Sequence, residues 1–133
     1  MHALRTYDYD YAMIRVVPRV ERGEFVNAGV ILSCDVKRVL ESRIELDEGA
    51  LLALDDAIDL DLVRDALTAI SVICAGGEAA GPIGKLSARE RFHWLVAPRS
   101  TMVQTSPVHT GRCSDLAAAL EHLMSTMVRR RRN

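Results

Sequence analysis

Between Lys85 and Thr110 the chain places three arginines (Arg89, Arg91, Arg99), two histidines (His93, His109) and a run of short donors (Ser100, Thr101, Gln104, Thr105, Ser106, Thr110). Forked guanidinium donors, imidazoles and small hydroxyls in one segment are the chemistry of an anion or phosphate site. The opposing reading is a polar edge strand preceded by a solvent-facing helix, although Trp94 and Pro98 argue for a segment ordered against the body. His93 and His109 could share acid-base work only if the fold brings them together, and His2 and His122 read as bystanders. No HxH or HxxxH spacing occurs, so neither a metal nor a cofactor is expected. Ser100 and Ser106 lack a nucleophile elbow, and the Gly81 to Lys85 string (Gly-Pro-Ile-Gly-Lys) lacks the Walker A spacing of a phosphate loop. Of the three cysteines, Cys34 and Cys74 sit in or beside apolar runs and read as core. Cys113 lies between Arg112 and Ser114 before a helix start, a setting that would lower a thiol pKa, yet it has no identifiable base partner.

The charge balance narrows the functional classes. The chain has 133 residues, 49% of them hydrophobic, and 17 basic against 18 acidic residues give a net charge of -1. A globally basic nucleic-acid binder and a long acidic disordered tail are both excluded. The near-neutral sum hides an acidic block from Glu41 to Asp65, with nine acids against two bases, which leaves the remainder of the chain net positive. Much of that block falls where helix starts favour acids. The terminal Arg129 to Arg132 run reads as a solvated helix end, and nucleic-acid binding through it is not expected. Only Lys37 and Lys85 are lysines, so arginine dominates the cations. No apolar run is long enough for a membrane helix, and the first residues lack the apolar stretch of a signal peptide, so a soluble cytoplasmic protein is expected.

These side chains need a scaffold, and the patterning supplies one. Tyr9 to Pro18 reads as a strand covered on both faces, with Arg15 interrupting it. Phe25 to Ser33 is a second strand, carrying Asn27 and a Gly29 that marks a bulge or a close backbone approach. Val39 to Leu46 alternates as a half-exposed third strand, completing an antiparallel meander. A short helix follows from Glu48 to Leu54. Leu60, Val63, Leu67, Ile70 and Cys74 then mark an amphipathic helix capped by Asp59 or Asp61 and stopped at Gly76-Gly77. Glu78 to Lys85 reads as a linker. Ser87 and Glu90 form a capping box for a helix that Pro98 ends, Thr101 to Val108 reads as a polar strand, and Ser114 caps a last helix with Leu116, Leu120, Leu123 and Met127 on its apolar stripe. The expected fold is a single α+β domain over residues 1–133. It has an antiparallel sheet of about four strands and helices packed mainly on one face, those at Leu60 to Ala75 and Ser114 to Arg130, while residues 1–7 and 129–133 are flexible.

Two strings carry a resemblance: Tyr9-Asp-Tyr-Ala-Met-Ile-Arg-Val-Val-Pro-Arg-Val-Glu-Arg-Gly-Glu-Phe-Val-Asn-Ala-Gly-Val-Ile-Leu32, and Glu90-Arg-Phe-His-Trp-Leu-Val-Ala-Pro-Arg-Ser-Thr-Met-Val-Gln-Thr-Ser-Pro-Val-His-Thr-Gly111. Over nearly the whole chain this resembles the bacterial family catalogued as domain of unknown function 3037. The resemblance implies a small protein with no established activity or cofactor, and a HipA-like kinase as partner. It draws attention to Arg15, Arg19, Glu24 and Asn27 in the first string and to Arg99, Gln104, Thr105 and His109 in the second. Arg15 and Arg19 would be satisfied by Glu21 or Glu24, or would face a ligand together with Arg99. The leading expectation is a non-enzymatic accessory or regulatory protein that binds a protein partner through this polar surface. The alternative is a small enzyme or sensor for a phosphorylated or nucleotide ligand, built on Arg15, Arg99 and His109.

Overall fold

Aromatic and β-branched residues carry Tyr7–Val16 into the long central strand β1, which pairs antiparallel with β2 (Val26–Cys34), itself paired with β3 (Val39–Ile44). This is the expected meander, seen in a computed structural model that describes residues 4–129. The helices are α1 (Glu48–Leu54), α2 (Leu60–Ala75), α3 (Ala88–Val96) and α4 (Leu116–Leu123), and two short strands, β4 (Val103–Thr105) and β5 (His109–Cys113), complete the domain. The domain is α+β, with an antiparallel sheet in the order β3-β2-β1-β4 and with β5 also on β1.

Where one polar strand was expected over Thr101 to Val108, two short strands lie beside β1. Thr105 pairs with Ile14 and His109 with Tyr11. Pro107 has no amide hydrogen to continue the ladder, and Ser106 bridges the break. Its amide donates to the Met13 carbonyl (2.9 Å), and its hydroxyl accepts from the Met13 amide (2.8 Å) and donates to the Pro107 carbonyl (2.8 Å). Ser106 is therefore a structural residue, 4% exposed.

Gly29 fulfils both roles expected of it. Register shifts between Ile14 and Arg15, which pair with Gly29 and Asn27, so Ala28 is the extra residue of a bulge. A Cβ on Gly29 would overlap the Arg43 carbonyl oxygen of β3. The bulge also changes which positions face each way: Val26 and Ala28 share a core with Ile31, although strict alternation would separate them.

That core lies under α1, α2 and α3, where Ile14, Val16 and Ile31 meet Leu51, Val63, Leu67, Phe92 and Leu95. A second core forms on the other sheet face, where Met13, Val30 and Leu32 meet Leu120, Leu123 and Met124. Three helices therefore share one face, as expected, but α4 does not join α2 there. β1 and β2 are apolar on both faces, and α4 covers the side that α2 leaves open.

The helix starts follow side-chain oxygens. Asp47 accepts from the Ala50 amide, Asp59 from Leu62 and Ser87 from Glu90. The last helix is capped by Asp115, which accepts from the Ala118 amide (3.1 Å), rather than by Ser114. After Leu123 the chain widens into a π turn over Met124–Val128, where the Arg129 amide donates to the Met124 carbonyl. Met124, one ordinary turn beyond Leu120, is buried, and the extra residue after it shifts the apolar stripe from Met127, 45% exposed, to Val128, which packs against the second core. The expected linker over Glu78–Lys85 is 3-10 helical, kinked at Gly81 (φ 66°). Of the ends expected to be flexible, Tyr7 pairs with Cys113 and Arg129 forms ion pairs, while residues 1–3 and 130–133, with His2 and most of the arginine run, lie outside the described residues. No single helix among the described residues is long and apolar enough to cross a membrane.

Candidate functional site

The two strings meet in space, because β4 and β5 both pair with β1. Arg15 on β1 is the cross-strand partner of Asn27 on β2 and of Gln104 on β4, so three expected site residues form one row on the face that α4 covers. The Arg15 guanidinium lies over the Phe25 ring, 4.2 Å from its centroid. Its Nε is buried without a partner, and so is the Asn27 Oδ1. The Asn27 amide nitrogen donates to the Met127 carbonyl (3.0 Å) and closes the end of the π turn, while the Gln104 amide nitrogen donates to the Thr101 carbonyl (2.7 Å).

The other expected residues do not join this row. Glu24 pairs with Arg22 and Arg19 with Asp55 (3.8 Å), so neither Glu24 nor Glu21 satisfies Arg15 or Arg19. The turn over Val20–Arg22 brings Arg22 back to Glu24 and directs Arg19 towards the polar break after α1. Thr105 is the partner of Ile14, which belongs to the opposite face. His109 stacks on Tyr11 (centroids 5.6 Å apart), four residues from Arg15 along β1 and thus about 13 Å away at the rise of a strand.

Arg99 ends α3. It donates to the carbonyls of Leu95 (3.0 Å) and Trp94 (2.8 Å) and lies 4.3 Å over the Trp94 ring. These carbonyls have no partner further along the helix, and a cation is favoured beside them. Arg99 and Arg15 therefore lie on opposite sides of the sheet and do not line one pocket. What Arg99 does line is a groove of about 410 Å³ between α2, α3 and β4, whose walls include Leu62, Ile70, Trp94, Met102 and Val103. Leu62 (57% exposed) and Trp94 (41%) stand at its surface.

The remaining arginines of the dense polar segment also turn inward. Arg91 donates to the carbonyls of Ile73 and Cys74 (both 2.8 Å) at the end of α2. Gly76 (φ 73°) makes room for it, since a Cβ there would strike the guanidinium. Arg89 donates to Asp10 (2.7 Å) and Ser33 (3.0 Å), and Thr110 donates to the second Asp10 oxygen (2.8 Å). Burial alone would raise the Asp10 pKa, but the hydrogen bonds from Arg89 and Thr110, with the charge of Arg89, hold it below its ordinary value. In place of a bound anion, this segment has Asp10 and the helix-end carbonyls. Asp10 and Ser33 escape a reading of the sequence because their row with Thr110 depends on long-range register. The one local signal is an acid at Asp10 on the same side of β1 as Ile14.

Cys113 does not show the lowered thiol pKa that its sequence neighbours could produce. It ends β5, and desolvation raises its thiol pKa despite a hydrogen bond from the Asp115 backbone. Cys74 is also raised, chiefly by burial. Among the described residues no group of three or more His, Cys, Asp or Glu is placed to hold a metal ion.

No curated protein and no solved structure matches this chain. Residues 11–128, from within β1 through the π turn and so all but the first two residues of the two strings, match the family described as "Protein of unknown function (DUF3037)", and the chain belongs to that family.

Proposed function

We propose that the protein is a non-enzymatic accessory or regulatory protein that binds a protein partner. The observation that carries this reading is the groove beside Trp94. Its walls are largely apolar side chains, its rim exposes Trp94 and Leu62, and the Arg99 guanidinium lies over the indole. Exposed apolar grooves lined by Trp and Arg suit protein docking better than capture of a small polar ligand. A further support is that Arg89, Arg91 and Arg99 are satisfied by internal acceptors, which leaves the polar segment from Lys85 to Thr110 little free charge for a phosphate. The polar row of Asn27, Arg15 and Gln104 adds a second recognition element on the opposite face. The partner implied by the family resemblance is a HipA-like kinase.

The test is copurification with such a kinase encoded near this protein, using the wild-type chain and a Leu62→Glu variant. Leu62 is exposed, so a charge there disturbs the groove without entering the core. A stable complex that the variant weakens at least about tenfold is expected, since putting a charge on an apolar docking surface leaves it desolvated and unpaired in the complex, and tenfold corresponds to about 1.4 kcal/mol. Absence of any stable complex, with kinase activity unchanged by the protein, would overturn the reading.

A further inference from the structure

Arg15 differs from every other arginine described here. Arg19, Arg22, Arg43, Arg64, Arg89, Arg112 and Arg129 each pair with a carboxylate. Arg91 and Arg99 take helix-end carbonyls. Arg5 and Arg38 are exposed to solvent, where an unpaired cation costs little. Arg15 alone is half-buried with neither an ion pair nor a side-chain hydrogen bond among the described residues, and its Nε is buried unsatisfied. A half-buried charge without a counter-ion is unfavourable unless something else supplies one. The Phe25 ring orients the guanidinium plane but does not neutralise it.

We propose that Arg15 is the receptor for one carboxylate, presented to the sheet beside Asn27 and Phe25. With Nε buried and unpartnered, a carboxylate would meet the two Nη atoms, a fork whose geometry takes both oxygens. Asn27 and Phe25 also line an adjoining cleft of about 210 Å³, large enough for a small side chain. The charged residues that line it, Asp47 and Arg129, do not include Arg15, and Arg129 already pairs with Glu45 and Glu121, so the single charge of Arg15 is the one left to be matched there among the described residues. One monovalent carboxylate matches that charge, whereas a phosphate dianion would need a second cation. The carboxylate belongs either to a free organic acid or to an acidic residue of a polypeptide. This site is on the opposite sheet face from the Trp94 groove, and its test requires no partner protein, so either idea can fail without the other.

The experiment follows the Arg15 Nε–Hε NMR resonance of the full chain at constant ionic strength. Acetate, succinate, inorganic phosphate, a Glu-containing peptide and its Gln counterpart are the probes. A saturable shift with carboxylates, at least about tenfold weaker with phosphate, is expected. Saturation by acetate or succinate identifies a free acid, and saturation by the Glu peptide alone identifies a polypeptide. Arg15→Met should abolish the accompanying backbone shifts at Asn27 and Phe25. Arg15→Lys, which keeps the charge without the fork, should weaken binding about tenfold or more. Shifts that do not saturate, that persist in Arg15→Met, or that favour phosphate would overturn the proposal.

Discussion

Asp10 shows how one side chain can take up polar groups that suggest a ligand site. It receives Arg89 from α3 and Thr110 from β5, and so ties the helix layer and the edge strand to the middle of the sheet. Because its folded pKa lies below the ordinary value, the linked stabilisation is present at neutral pH and is lost as pH falls through the folded pKa. Asp10→Asn should therefore lower stability by about 1–3 kcal/mol at pH 7, the usual cost of a charged hydrogen bond left without its partner. Urea unfolding should show the gap closing as pH falls below the ordinary carboxylate range. A gap that stays constant would remove the ionic contribution from the account. Cys113 gives a second test at this scale. With its thiol pKa raised, alkylation by iodoacetamide should be slow at pH 7 and should keep accelerating past pH 9, where an activated thiolate would already have reached a plateau.

Element ends show why parts of the fold were legible in the sequence and others were not. A helix start depends on a few neighbouring residues, so Asp59 before α2 and the Ser87 and Glu90 pair before α3 can be read from spacing. Ser114 and Asp115 are adjacent candidates, and only the backbone path out of β5 selects Asp115. Asp115→Ala should accordingly cost about 1 kcal/mol in thermal or urea unfolding, while Ser114→Ala should cost little. Equal losses would show that the cap is shared. The π turn and the break at Pro107 were not legible for a different reason. Each changes the phase of a pattern by one residue, and the benefit arises elsewhere, at Val128 against the second core and in the Ser106 bonds to Met13. The candidate site divides in the same way. Residue type and the family resemblance singled out Arg15, Asn27 and Gln104, but only register placed them in one row and Arg99 on the other side of the sheet.

The whole molecule is organised around two strands that each supply both cores. Ile14 and Ile31 face the α1–α3 layer, while their chain neighbours Met13 and Val30 face α4. Neither core can lose its sheet wall without removing the other's, and a domain of this size is expected to unfold in one cooperative step. Truncations in opposite cores should therefore act on a single transition. Leu95→Ala removes a buried side chain beside Trp94, and Leu123→Ala removes one under α4, each at a cost of about 2–5 kcal/mol. Trp94, the only tryptophan, reports the first core by fluorescence, and far-UV circular dichroism reports all the helices. Both variants should lower Tm, with the two signals coincident in each. If Leu123→Ala left the Trp94 transition in place while circular dichroism showed an earlier loss of helix, α4 would be an independent unit. The Asn27 contact to the π turn, and with it the Arg15 row, would then be separable from the sheet, and the carboxylate site would form only when α4 is docked.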